Sequence, residues 1–131
     1  MRTILVVEDD ANVLRLLSIS LSHLYEVIET TNGLDALRMI KKHLPYAVLL
    51  DVMLPGEMDG LQVLDAVKSN SLTCGVLVVM VTACGQKADL DEATQRGADA
   101  YFIKPFSPNE LITWLDLHVN DKEDSIEMSG P

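Results

Sequence analysis

Five short apolar runs, repeated along the chain at similar intervals, most constrain how these 131 residues can fold. The runs are TILVV (3–7), YEVIE (25–29), AVLLD (47–51), VLVVMVT (76–82) and AYFIK (100–104). They begin roughly 22 to 29 residues apart, which leaves room for a helix between consecutive parallel strands. Because the runs are apolar almost throughout, each strand is expected to be covered on both faces. The pattern predicts an α/β fold, a doubly wound five-stranded parallel sheet with helices on both faces.

The segments between the runs have helical spacing. In the first segment, these apolar residues share one face of a helix: Val13, Leu14, Leu17, Leu21 and Leu24. Further helices are predicted over 33–43, 60–70, 87–96 and 107–119, the last with a capping-box pattern at Ser107, Pro108 and Glu110. We expect one domain over residues 1–120, followed by an acidic flexible tail or the start of a linker over 121–131.

Charge and composition argue against several classes of protein. The net charge is −10, from 20 acidic and 10 basic residues, and such a surface repels a nucleic-acid backbone, so direct nucleic-acid binding is not expected. The two cysteines, Cys74 and Cys84, have neither metal-site nor disulfide-framework spacing and indicate reduced thiols in a cytoplasmic protein. No apolar run approaches the ~20 residues that a membrane-spanning helix needs, so no membrane association is expected.

Polar residues follow the predicted strands at their C-terminal ends: Glu8, Asp9, Asp10, Asp51, Thr82 and Lys104. In an open parallel sheet these ends meet at one crevice, where ligands bind. Asp10 directly precedes a helical segment, so we interpret it as a helix N-terminal acid and not as a ligand. The others are expected to be neighbours in space.

Several carboxylates in one crevice repel each other unless a cation joins them, and one lysine is not enough. An all-oxygen acidic site suits Mg²⁺, which also takes phosphoryl oxygens into its shell. Asp51 is the best candidate nucleophile toward phosphorus, Lys104 offers a charge for a phosphate oxygen, and Thr82 offers a hydrogen bond.

Two other classes compete with a phosphoryl-accepting site. A phosphohydrolase with an aspartyl intermediate would need an Asp-x-Asp pair after the first strand, where this chain has EDDA. A flavin or nucleotide carrier would need a glycine- or hydroxyl-rich phosphate loop there, and EDD repels phosphate in the absence of a metal. Turnover of added phosphomonoesters would favour the first class, and a yellow purified protein the second.

The phrases ILVVEDD, DVMLP, MVTA and FIKPF, in this order and spacing, resemble those of the receiver domain of two-component response regulators over residues 3–120. The resemblance implies a flavodoxin-like strand order 2-1-3-4-5. It implies a signalling domain and not an enzyme, one that accepts a phosphoryl group from a histidine kinase or a histidine phosphotransfer protein. Whether the domain is free-standing or the N-terminal part of a longer regulator stays open.

The resemblance also implies a role for each matching residue. Asp51 is the phosphoacceptor, Glu8 and Asp9 form the acidic pair, and Mg²⁺ is bound by Asp9, Asp51 and the backbone oxygen of Met53. Two further residues, Thr82 and Lys104, would hold the phosphoryl oxygens.

Three more positions match the family pattern. Ala83 would leave the phosphoryl group room. A cis peptide bond before Pro105 would direct Lys104 into the crevice. Tyr101 matches the switch aromatic, which turns inward when Thr82 is drawn toward the phosphoryl group, although it could also be an ordinary strand residue.

One departure from the family pattern follows the third strand. DVMLPGEMDG carries one more residue between Pro55 and Asp59 than the family usually has, which affects the shape of the loop. Met53 and Cys84 stand where family side chains tune the lifetime of the phosphoryl group. Because neither can activate a water as a carboxylate can, self-hydrolysis is expected to be unexceptional or slow.

Two surfaces are predicted to meet partners. Asn12, Arg15, Leu16 and Ile19 lie off the core-facing stripe of the first helix, where the family docks its histidine donors. On the last helix, Trp114 and Leu117 are candidates for contacts with an output domain, a downstream protein or a second copy after activation, although Trp114 could equally pack at the core edge.

Overall fold

Five parallel strands form one sheet in the order β2-β1-β3-β4-β5. The computed structural model describes the backbone of residues 1–83 and 87–128 and the side chains of residues 1–83 and 89–118. The strands are β1 (Thr3–Val7), β2 (Glu26–Thr30), β3 (Ala47–Asp51), β4 (Leu77–Thr82) and β5 (Ala100–Ile103). The predicted fold class and the implied strand order are both confirmed.

Five helices alternate with the strands and cover both faces of the sheet. They are α1 (Ala11–Leu21), α2 (Gly33–His43), α3 (Gly60–Ser69), α4 (Lys87–Gln95) and α5 (Pro108–Met128). Alternate residues of β1 enter two separate cores, with Leu5 and Val7 in the core beside α2, α3 and α4, and Ile4 and Val6 in the core beside α1 and α5. This two-sided burial explains why β1, β3 and β4 are apolar almost throughout, whereas the edge strand β2 is only partly buried and exposes Glu26 and Glu29.

The first helix begins as predicted and ends earlier. Asp10 is its N-cap, and its side chain accepts hydrogen bonds from the backbone N–H groups of Asn12 and Val13. The prediction that Leu24 continues the buried stripe is wrong, because the helix ends at Leu21 and Leu24 is 54% exposed. The backbone N–H of Tyr25 bonds to the carbonyl of Leu21 in the turn that follows, and Tyr25 is buried in its place.

The last helix begins where the capping pattern predicted. The Ser107 hydroxyl accepts from the N–H of Asn109, and its carbonyl accepts from the N–H of Glu110. The helix continues to Met128, beyond the predicted end at residue 119. The domain boundary at residue 120 stays a prediction. Within the described part of the chain, no helix is both long and apolar enough to cross a membrane.

Gly60 lets α3 begin directly against the end of β3. Its N–H donates to the carbonyl of Val52, and a Cβ atom at Gly60 would lie 2.1 Å from the Asp51 carbonyl oxygen and 2.9 Å from its carbonyl carbon. Both contacts are with backbone, which cannot rotate away. Position 60 therefore has to be glycine for Asp51 to keep its place.

We expect Gly60→Ala to lower the free energy of unfolding by about 1–3 kcal/mol, the usual cost of overpacking, measured by urea denaturation. Gly75→Ala is the matched control, because a Cβ atom there meets nothing within 4 Å. The control should change stability by less than about 0.5 kcal/mol. Equal losses for the two variants would contradict the steric argument.

Candidate functional site

The ammonium group of Lys104 joins two buried carboxylates at the C-terminal edge of the sheet. Its Nζ lies 3.0 and 2.9 Å from the two carboxylate oxygens of Glu8 and 3.1 Å from Oδ2 of Asp51. Glu8 is 2% exposed and Asp51 is 5% exposed. Such burial is tolerable for two acids only with a cation between them.

Strand ends hold each of these side chains. Glu8 directly follows β1, Asp51 is the last residue of β3, and Thr82 is the last of β4. Lys104 follows β5, and its backbone N–H donates to the carbonyl of Thr82 at 2.7 Å. The peptide bond between Lys104 and Pro105 is cis, as the family resemblance implied.

Burial and neighbouring charges shift the pKa values of Glu8 and Lys104. Burial raises the pKa of Glu8, and the nearby Asp51 carboxylate raises it further, while the hydrogen bond from Lys104 opposes both. For Lys104, burial alone would lower the pKa. The hydrogen bonds and charges of Glu8 and Asp51 outweigh that effect, so the pKa of Lys104 lies above its usual value.

A third acid completes a set of oxygens that could hold a cation. Glu8, Asp9 and Asp51 each offer one carboxylate oxygen within 4.8 Å of the others, and Asp9 is exposed at the mouth of the site. Oδ1 of Asp51 also accepts from the N–H of Met53 at 3.0 Å. Because one ammonium cannot balance three carboxylates, this donor set fits a hard divalent cation such as Mg²⁺.

The other predicted site residues lie around this cluster. Thr82 is fully buried and Ala83 is exposed. Met53 is 66% exposed. Tyr101 is half-buried and lines a hollow of about 130 Å³ together with Val52, Met53, Leu61, Asp89 and Glu92. Cys84, expected to affect phosphoryl lifetime, lies outside the described residues.

The lengthened loop after β3 takes up its extra residue on the outside. Pro55, Gly56 and Glu57 are all exposed, and Gly56 has a φ of 90°. Met58 packs against the core, and Asp59 forms a capping box with Gln62 at the start of α3. The helix entry is therefore kept, and the extra length forms an exposed tip that lines a hollow with Thr31, Asn32 and Leu34.

The four residues predicted to meet a histidine donor are all exposed on α1, but three of them are divided between two different hollows. Leu16 lines an apolar hollow of about 370 Å³ together with Pro105 and Phe106, and Lys104 also lines this hollow. Arg15 and Ile19 lie along another hollow of about 460 Å³ beside Glu29. Asn12 lines neither of these two hollows.

The two predicted residues on α5 differ in environment. Trp114 is half-buried against the core and stacks on His118, with ring centroids 3.7 Å apart. Leu117 is 58% exposed. Only Leu117 therefore offers a largely free side chain to a partner.

Sequence reasoning missed two parts of the site. It assigned Lys104 to a phosphate oxygen and did not foresee its bonds to both oxygens of Glu8, which depend on distances across the sheet. It also missed Phe106 and Pro108, which complete the hollow beside Leu16. Their position within three residues of Pro105 was the available signal.

The sequence and the fold both match known proteins. Residues 4–116 match the family described as the response regulator receiver domain. The phosphate regulon transcriptional regulatory protein PhoB of Pseudomonas aeruginosa is 34% identical over an alignment 135 residues long, gaps included, that covers 98% of this chain and 58% of PhoB. The chain spans about half the length of the curated relatives that it matches.

Solved structures agree with this result. A CheY-like response regulator receiver domain protein from Methanospirillum hungatei has a TM-score of 0.87 at 27% identity, with 95% of this chain and 98% of that chain covered. The beryllofluoride-activated DrrB receiver domain has a TM-score of 0.83 at 29% identity, with 92% and 98% covered. The chain therefore belongs to the response regulator receiver domain family of two-component systems.

Proposed function

We propose that Asp51 accepts a phosphoryl group from a phosphohistidine of a sensor kinase or a histidine phosphotransfer protein, in a Mg²⁺-dependent reaction in the cytoplasm. The observation that supports it best is the placement of Asp51, a buried carboxylate within reach of one ammonium and two further acids. The Asp51 carboxylate is fixed by its contacts with the Lys104 ammonium and the Met53 N–H, and the ammonium supplies positive charge next to it. Positioning and charge neutralisation supply most of the catalysis of phosphoryl transfer.

In the transfer step, one oxygen of Asp51 forms a bond to phosphorus while the bond from phosphorus to the donor imidazole nitrogen breaks. That nitrogen keeps the electron pair and takes up a proton. Glu8, Asp9, Asp51 and the backbone oxygen of Met53 would hold the Mg²⁺, which neutralises the acids and the phosphoryl oxygens. Lys104 keeps its bonds to Glu8 and turns its contact with Asp51 into a contact with a phosphoryl oxygen.

The signal leaves the site through the end of β4. The Thr82 side chain hydrogen-bonds the phosphoryl group, and the small Ala83 leaves room for that group. The Tyr101 ring then turns inward and fills the hollow beside it. This rotation alters the face formed by α4, β5 and α5. Such a change shifts the balance between two packings that both exist beforehand.

The altered face acts on an output domain or a downstream protein. PhoB, a transcriptional regulator, is longer than the matched region, which supports an output domain in a longer regulator as one arrangement. The net charge of −10 argues that this part of the chain does not itself bind nucleic acid. Turnover is limited to its own phosphotransfer and dephosphorylation.

Incubation with acetyl phosphate and Mg²⁺ should add one phosphoryl group to the protein, seen as a single mass increase by intact mass spectrometry. The adduct should be absent without Mg²⁺, because the acids then repel the incoming phosphate. It should also be absent in Asp51→Asn. Asp35→Asn is the matched control, since Asp35 is a helix-surface aspartate paired with Arg38, and it should be labelled like the wild type. An adduct that persists in Asp51→Asn would contradict the assignment.

We also propose that the donor docks on the exposed side of α1. Leu16→Asp should slow transfer from a phosphorylated donor protein by tenfold or more, because it puts a charge into the apolar hollow beside Pro105 and Phe106. Ile19→Asp should slow it less, since it lies on the other hollow. Labelling by acetyl phosphate should stay unchanged in both variants. Leu72→Asp, at an exposed leucine before β4, is the control, and unchanged transfer in Leu16→Asp and Ile19→Asp would refute the docking site.

The phosphorylated protein is proposed to form a homodimer through the α4-β5-α5 face. The exposed side chain of Leu117 and the outer edge of Trp114 offer apolar surface for it. Leu117→Glu should leave the phosphorylated protein monomeric in analytical ultracentrifugation, while Leu72→Glu should dimerise like the wild type. A monomer mass at every concentration of phosphorylated wild type would contradict the dimer.

A further inference from the structure

The C-terminal end of α4 is fastened to the rest of the domain by ion pairs. Among residues 89–95, whose side chains the structure describes, only Ala93 is buried. Directly after the helix, Arg96 reaches two acids, with its guanidinium 3.0 Å from Oδ2 of Asp65 on α3 and 2.7 Å from Oε1 of Glu92 on α4. The guanidinium fork thus holds one turn of α4 against α3.

A second ion pair fixes the connection that follows. Lys68 of α3 donates to Oδ2 of Asp99 at 2.9 Å and to the carbonyl of Val76 at 2.8 Å. The same carboxylate oxygen of Asp99 accepts from the N–H of Val78 at 2.8 Å. Because Asp99 directly precedes β5, the turn between α4 and β5 cannot move far from α3. The connection after α4 is therefore held against α3 and the start of β4.

Glu92 connects this anchored end to the hollow beside Tyr101. It lines that hollow together with Asp89 and Leu61, and its carboxylate is bound to Arg96. A ring that entered the hollow would press on Glu92 and strain its contact with Arg96. The ion pairs of Arg96 thus lie on a continuous contact path from the hollow to α3.

We propose that Arg96 is a positioning residue that latches α4 in its resting place through Asp65 and Glu92, so that the latch opposes the activated packing. This inference rests on the proposed function. The strength of the latch suits the role. Its three side chains are 32%, 53% and 47% exposed, and exposed ion pairs bias an equilibrium by only a small factor. A latch of that strength is weak enough for phosphorylation to overcome and strong enough to shift the resting balance.

Two measurements on the whole chain test the latch, in Asp65→Asn, Arg96→Gln and the double variant. The first is hydrogen exchange of the α4 amides without Mg²⁺ or phosphoryl donor, which should be faster in all three variants. The second is the affinity for beryllofluoride with Mg²⁺, the group that activates the DrrB receiver domain. It should rise about two- to fivefold in each single variant, with no further gain in the double variant beyond that of Arg96→Gln.

Asp35→Asn is the matched control. It breaks an exposed aspartate–arginine pair of the same kind on α2 and should change neither measurement. Unchanged α4 exchange together with unchanged beryllofluoride affinity in Asp65→Asn and Arg96→Gln would overturn the latch. Equal changes in Asp35→Asn would overturn it too, because any lost surface charge would then suffice. If wild type binds no beryllofluoride and gains no phosphoryl group, the proposed function fails, and hydrogen exchange alone decides whether Arg96 holds α4.

Discussion

The contact of the Lys104 ammonium with Glu8 and Asp51 is the interaction on which the site depends. Two carboxylates at 2% and 5% exposure could not stay charged side by side without a cation between them. Loss of one partner of such a buried cluster typically costs about 3–5 kcal/mol, because the remaining charge is left uncompensated. The same cluster keeps a net negative charge, which suits a divalent cation.

The edge strand β5 is held at both ends by lysine–aspartate pairs. Asp99, just before the strand, binds Lys68 of α3, and Lys104, just after it, binds Asp51 of β3. Between them lies Tyr101, the aromatic residue beside the hollow under α4. A strand fixed at both ends can change little itself. In the proposed function, a signal from the acids is therefore carried by rotation of the Tyr101 side chain and by movement of α4.

The fold was predictable because its signals are local and repeated. Apolar runs separated by helical segments allow one sheet type, and Asp10 and Ser107 mark helix starts by chemistry that each carries itself. The prediction that Leu24 is buried failed for the opposite reason. The turn that follows Leu21 is held by the bond from the Tyr25 N–H to the Leu21 carbonyl, and it buries Tyr25 and leaves Leu24 exposed. Helical periodicity does not show where a helix ends.

By itself the sequence determined which residues would gather at one edge, because parallel strands bring their C-terminal ends together regardless of the details of packing. Only the tertiary structure decided how they pair there. It bonded Lys104 to both Glu8 and Asp51, separated Leu16 from Ile19 into different hollows, and placed Glu92 between Tyr101 and Arg96. The physical reason is the distance along the chain over which each interaction acts. Burial and helix caps act over a few residues of sequence, whereas ion pairs and hollows depend on ångström distances between segments far apart in the chain.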